Sequence, residues 1–541
     1  MVRLYKFLNS KKATWVVLII SIIDRIISIN YLWFVGPDKI IAMQHSRNFL
    51  EGNGLSVTKY FGENVDIPVY DLTPQWPPGY PIVLAPILKI FNYDIYWPTI
   101  IIDLVAGIAL IFLIRKIAVL LTFPVAAVNI ITLIAGFLQY HFIYESLPTD
   151  IPAIALFLTG LLLLLQLLQS ETLLLPKLIA ASVFLFLPSM FRYSYPPLSI
   201  AAPIGLMLYG WMLNKKLFIK EGFICFSLII LLTGALFAFL KYTTGSAAHI
   251  WNTGRGIFPE NLIHWTPFAF ESFINSPFVI IQLVNIGGFP VRQSLNIVET
   301  INVILVLLFL LLFAFVFIKK RSSIKDSLFN RFLWIGFFIS AATCVSLGYL
   351  SLTYKPQLTW GNYINESRYF AFVNLYLQCA FIGWVFLYNS WKKSFLQKAI
   401  ISGLFILLFI EISHNIYLHT KTILQPAKYK YAPLEELDYV YFIDLMNTLE
   451  KNNPDAQLYV ISDNDEMYLL TANYLGHKGI YHGYNIVKNL PVVKKRTIVI
   501  LPLYDNQLPA YATFLTTQKA QLLNRVNEVN FYRLDIAPKK Y

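Results

Sequence analysis

A chain of 541 residues that is 57% hydrophobic and only 13% charged, with a mean hydropathy of +0.58 and repeated uninterrupted apolar runs, is a polytopic membrane protein; a soluble enzyme is excluded. The formal charge of +13 does not point to nucleic acid, because the basic residues stand in short clusters between apolar segments, where they set membrane orientation. Cys225, Cys344 and Cys379 all fall inside apolar segments, where a thiol packs as a small hydrophobe, so they supply neither a disulfide framework nor a metal site.

The N-terminus carries Arg3, Lys6, Lys11 and Lys12 ahead of an apolar run from about Ala13 to Val35. At about 1.5 Å per residue that run crosses about 30 Å of hydrocarbon, and it is too long for a signal peptide. Further spans are expected at about 97–114, 118–138, 150–168, 177–191, 196–213, 222–240, 300–318, 330–350, 369–388 and 399–418, about eleven in all. The clusters Arg115/Lys116, Lys177, Lys215/Lys216/Lys220, Lys319/Lys320/Arg321/Lys325 and Lys392/Lys393/Lys398 then share the side of the N-terminus, which makes that side the cytoplasm. The loop 35–96, the turn 139–149, the tight turn Arg192–Pro197, the loop 241–299, the segment 351–368 and everything after about His419 face the other compartment. From about Lys421 a predicted helix (Pro433–Lys451) alternates with short apolar strands (Gln457–Ile461, Thr497–Pro502). Residues 421–541 thus read as a small α/β domain after a membrane domain of residues 1–420.

The acid-rich stretch Gly36–Pro81, with Asp38, Glu51, Glu63, Asp66 and Asp71, is the conspicuous polar loop of an apolar chain. Asp38 opens a helical pattern (Ile41, Ala42, His45, Phe49) expected to lie along the membrane surface. Beside a low dielectric, such a carboxylate is a candidate base for an incoming hydroxyl; as a plain helix cap it would serve equally well. Trp76 and Tyr80, in PQWPPGYP, are expected at headgroup depth ahead of an apolar stretch too short to span. His141, Tyr144, Glu145 and Asp150 sit together at an outer mouth in HFIYESLPTD. Arg192 and Arg368 break the rule that keeps basic residues inside: each either meets an anion such as phosphate or pairs with lipid headgroups or a local acid such as Glu366. Asp24 and Arg25, within the first span, read as a structural pair, and His477 and His482 as solvated loop histidines.

An Asp just after the first span, the run Ala42, Leu50, Glu51, Gly52, Asn53, Gly54, Leu55, then Trp76 to Pro81 (WPPGYP) and the acid-bearing Tyr144-Glu145-Ser146 together resemble the GT-C superfamily. Within it the chain is most similar to the bacterial protein-mannosyltransferase-like and aminoarabinose-transferase-like branch, a likeness that the Arg368-Tyr369 pair and the C-terminal α/β domain share. The resemblance implies an inverting glycosyltransferase of the bacterial inner membrane. It would move a sugar from a polyprenyl-phosphate donor to the hydroxyl of a glycan, lipid or protein acceptor at the periplasmic face. Asp38 matches the family's first-loop acid and would be the general base. Glu145 or Asp150 would position a substrate, and Arg368, with Arg192, would steady the departing phosphate. Lys39 stands where the family often has a second acid, and the D-x-D of Asp463 and Asp465 lies far along the chain, so no metal cofactor is expected. Two rival readings are a transporter or flippase of lipid-linked glycans and an O-antigen polymerase or ligase. The first would place charge near mid-bilayer; the second would rest on Arg255, His264 and Arg292.

Overall fold

The computed structural model describes residues 7–31, 37–61, 64–72, 77–137, 149–170, 172–245, 327–353, 371–387, 437–462, 466–481 and 493–538, with isolated positions between 403 and 420. In chain order come α1 (Lys11–Tyr31), α2 (Pro37–Leu50), the strands β1 (Val57–Phe61) and β2 (Asn64–Asp71), α3 (Gly79–Ile90), α4 (Trp97–Leu120), α5 (Val125–Phe137) and α6 (Asp150–Leu167). They are followed by α7 (Leu175–Phe186), a short 3₁₀ turn (Leu187–Met190), α8 (Tyr195–Met212), α9 (Lys216–Thr244), α10 (Leu328–Thr353) and α11 (Ala371–Leu387). The rest is α12 (Leu437–Asn452), β3 (Gln457–Ser462), α13 (Glu466–Tyr474), β4 (Lys478–Tyr481), β5 (Thr497–Tyr504), α14 (Leu508–Thr517), β6 (Gln521–Val526) and β7 (Val529–Ile536). Prolines whose missing N–H costs nothing in a first turn open α7 and α8, and Gly245, at φ +77°, closes α9.

By internal contacts the chain forms two units, residues 1–29 with 103–420 and residues 30–102 with 421–541. The sequence division at residue 420 did not contain this grouping of the first loop with the C-terminal segment. Among the described residues, four helices are long and apolar enough to cross a membrane: Trp97–Leu120, Asp150–Leu167, Lys216–Thr244 and Leu328–Tyr349. The expected spans at 300–318 and 399–418 lie outside the described residues, isolated positions apart. α6 packs on α7, α8 on α9 and α10, and α10 on α11. Small residues let the backbones approach: a Cβ at Gly160 would stand 2.6 Å from the Leu185 nitrogen. Arg25, fully buried, donates from Nη2 to the Ala135 carbonyl at 2.5 Å.

The second unit is built on one seven-stranded mixed sheet in the order β2-β1-β4-β3-β5-β7-β6. The first-loop hairpin β1–β2 joins it by parallel pairing of β1 with β4 (Tyr60 opposite Ile480), so strands separated by most of the chain share a sheet. Period-two alternation divides the core: Tyr459 and Ile461 face one side with Val499, Leu501, Tyr511 and Phe514, under α14. Leu458 and Val460 face the other with Phe442, Tyr468, Ile498 and Phe531, under α12 and α13. β5 lies between these layers, buried along nearly its whole length, which explains why its sequence is continuously apolar rather than alternating.

Candidate functional site

α2 carries Asp38 half-buried in its first turn, where a carboxylate is favoured by the unsatisfied N–H groups and the positive end of the dipole. The face that this helix buries is not the expected one. Ala42 and Met43 are covered, but so are Gln44, His45, Ser46 and Asn48, while Phe49 is exposed. Buried polar groups need partners, and these have them: Ser46 Oγ donates to the Pro81 carbonyl at 2.9 Å, and Asn48 Nδ2 to the Ser56 carbonyl at 2.8 Å. Helix α2 is therefore held by protein on its polar side.

His45 carries a pH consequence. Burial pushes its imidazole down to about 4, with the Asp71 carboxylate opposing the shift. The unfolded chain, with a histidine pKa of about 6.5, then binds the extra proton, so stability is full above that pH and falls as pH drops toward the folded value, by about 3 kcal/mol in all. His45→Gln is expected to flatten this part of a plot of Tm against pH.

In the other unit, Asp150 begins α6 and Arg192 follows the 3₁₀ turn ahead of α8. Arg192 Nε meets Asp150 Oδ1 at 2.7 Å, with the side chains 9% and 4% exposed. Arg192 Nη1 reaches Thr149 Oγ1 at 3.4 Å. Of the partners that the sequence leaves open for Arg192, an anion, lipid headgroups or an acid, the structure has an acid, and that acid is Asp150. Asp150 Oδ2, itself buried, has no hydrogen-bond partner among the described residues, nor has Ser189 Oγ. Tyr195 is buried in the same neighbourhood, and its ring lies 5.7 Å from that of Phe157, which in turn packs at 5.2 Å against Phe372. A neutralised carboxylate with a spare oxygen beside aromatic faces can accept a hydrogen bond from a neutral hydroxyl.

Tyr80 is fully buried in α3 and is no headgroup anchor; the apolar side chains that this helix exposes are Ile82, Val83 and Ile90. His477 is not a solvated loop residue: its side chain is 8% exposed, Nε2 stands 3.9 Å from Glu450, and burial pushes its pKa down against that carboxylate's pull. Trp76, His141, Tyr144, Glu145, Arg368 and Tyr369, together with His482, Asp463, Asp465 and the loop 246–299, lie outside the described residues. Sequence reading missed Thr149, Ser189 and Tyr195. They are ordinary in an apolar chain, and only the packing of the turn before α8 against the start of α6 brings Arg192 and Tyr195 to Asp150.

No protein-family model matches the chain, and no curated protein sequence does. Among solved structures it is similar to ArnT from Cupriavidus metallidurans in the apo state, with a TM-score of 0.54 at 12% identity over 97% of this chain and 98% of that one. A weaker likeness covers 93% of this chain and 70% of the archaeal oligosaccharyltransferase AglB from Archaeoglobus fulgidus, solved with an inhibitory peptide and a dolichol-phosphate, at a TM-score of 0.43 and 13% identity. The likeness to ArnT shows the fold alone: this chain shares the architecture of that solved structure over nearly the full length of both chains.

Proposed function

We propose that this chain is a glycosyltransferase of the bacterial inner membrane that moves a sugar from a polyprenyl-phosphate donor to an acceptor hydroxyl on the periplasmic side. The fold shared with ArnT over nearly the full length of both chains supports this reading most strongly. The first-loop motif that ends in Trp76 to Pro81 points the same way. Asp38 takes the acceptor proton while the acceptor oxygen attacks the anomeric carbon from the face opposite the leaving group. The bond from that carbon to the phosphate oxygen breaks, polyprenyl phosphate departs with the electron pair, and a single displacement inverts the centre.

Asp150 Oδ2 accepts a hydrogen bond from a hydroxyl of donor or acceptor, and Arg192 holds the carboxylate through Oδ1. With Arg192 Nε engaged in that way, Arg368 is the arginine assigned to the departing phosphate, where charge grows as the bond breaks. His141, Tyr144, Glu145, Trp76 and Tyr369 are the remaining substrate-positioning candidates, with Tyr80, fully buried in α3, acting only through the packing of that helix. Because this chemistry needs no Lewis acid, transfer is proposed to be independent of metal.

The test is an assay of purified protein with polyprenyl-phosphate sugars and acceptor glycans, lipids and peptides, followed by product linkage and anomeric configuration. A product of inverted configuration is expected, formed at an unchanged rate after chelator treatment. Movement of intact lipid-linked sugar across vesicles without any transfer would replace this reading with that of a flippase.

A further inference from the structure

We infer that the C-terminal α/β segment is a positioning element for the helix that bears Asp38, and that Arg47 is the residue through which it acts. This rests on the proposed role of Asp38. The contacts that carry it all lie within the second unit.

Helix α2 is a polar helix of 14 residues, a length at which a helix in water is marginal without tertiary support. Its support comes from side chains that donate to backbone carbonyls of other elements. Gln44 Nε2 donates to the Leu470 carbonyl of α13 at 2.5 Å, while its Oε1 accepts from the Thr58 amide at 3.0 Å. Arg47 Nη1 donates to the Tyr474 carbonyl, the last of α13.

Accounting for the end of α13 shows why that bond matters. The carbonyls of Thr471, Ala472 and Asn473 are taken by the amides of Leu475, His477 and Gly476. The Tyr474 carbonyl is the one that Arg47 supplies, with a cation at the negative end of the helix. The same guanidinium lies 5.2 Å from the Tyr93 ring centre and bonds Glu51 at 2.9 Å, and the Tyr474 hydroxyl donates to the Tyr93 carbonyl at 2.7 Å. Arg47, Tyr474 and Tyr93 thus close a triangle between α2, α13 and the turn after α3. Asn473 adds a second tie: its Nδ2 donates to the Thr58 carbonyl at 2.7 Å and its Oδ1 accepts from the Gly479 amide at 2.6 Å, joining α13, β1 and β4.

Backbone acceptors cannot rotate away, so these bonds set both the axial position of α2 and its rotation. Asp38 stands nine residues from Arg47, about 14 Å along the axis at 1.5 Å per residue, so a small tilt at the clamp is carried to the carboxylate. A general base displaced by about 1 Å loses up to about a hundredfold in rate. The C-terminal segment therefore aims the helix and needs no chemical group of its own.

The experiment uses the full-length protein in lipid nanodiscs, with Arg47→Ala, Arg47→Lys and, from the C-terminal side, Asn473→Ala, alone and combined with Asp38→Asn. Hydrogen exchange of residues 37–50 is read beside kcat and the KM for a polyprenyl-phosphate sugar. Arg47→Ala is expected to speed exchange across α2 and to lower kcat by about tenfold to a hundredfold, with KM unchanged. Arg47→Lys, which keeps the cation, recovers part of both, and Asn473→Ala shows the same pattern more weakly. In the Asp38→Asn background Arg47→Ala adds no further loss, because residues that act through one group are not additive. Wild-type exchange in all three variants, or a further loss on top of Asp38→Asn, overturns the inference. Faster exchange in a protein whose Asp38→Asn variant turns over normally would instead leave the clamp standing and remove the assigned base.

Discussion

Asp38→Asn is expected to lower sugar transfer by about a thousandfold, within the range that general-base catalysis contributes, while the protein folds as before. The size of the effect separates two roles that this position serves at once. As a first-turn residue, Asp38 places a negative charge at the positive end of the helix dipole; asparagine is also at home in a first turn, and losing the charge costs at most about 1 kcal/mol. As a base, Asp38 offers a lone pair of proton-accepting strength, and the amide of asparagine does not. A purely structural residue would therefore show a small shift in Tm and near-normal turnover. The proposed base shows the reverse, with the donor KM little changed because binding and proton removal are separate. Steady-state transfer kinetics beside a thermal melt decide between them, and normal turnover would return Asp38 to the capping role.

Much of this architecture was legible from residue order because its signals are local. Apolar runs mark the helices seen at Trp97–Leu120, Tyr195–Met212 and Lys216–Thr244. The apolar stretch Thr497–Pro502 marks a strand, which the structure places inside the sheet. What stayed hidden depended on distant partners. The parallel pairing of Tyr60 with Ile480 spans more than four hundred positions, and no property of KYF announces it. The buried polar side of α2 reads as a surface until α13 and β1 are there to accept its bonds. Tyr80 looked like an interface aromatic because a lone Tyr beside Trp and Pro carries no mark of which way its helix turns. Arg192 stands out in the sequence as a cation on the outer side, but which acid it meets is not written locally: Asp150 is distant from it in the chain and adjacent in space.

That pair supports the largest stability effect expected of this protein. Arg192→Ala is expected to cost about 3–5 kcal/mol, because it leaves Asp150 charged, buried and without its counter-ion, whereas an exposed pair would cost under about 1 kcal/mol. The exposures of 9% and 4% put the pair in the first class. The same physics predicts rescue: replacing both partners by apolar groups of similar volume, Asp150→Leu with Arg192→Met, removes the orphaned charge and restores most of the lost Tm. Stability and function then part company. If Asp150 Oδ2 receives a substrate hydroxyl, the double variant melts near the parent temperature but transfers sugar poorly, with a raised KM for donor or acceptor. If the pair is only a strut between α6 and the turn before α8, the double variant recovers turnover together with Tm. Melting curves and transfer kinetics on the same four proteins, parent, two single variants and the double, therefore distinguish a substrate contact from a strut even though both begin with the same loss on removing Arg192.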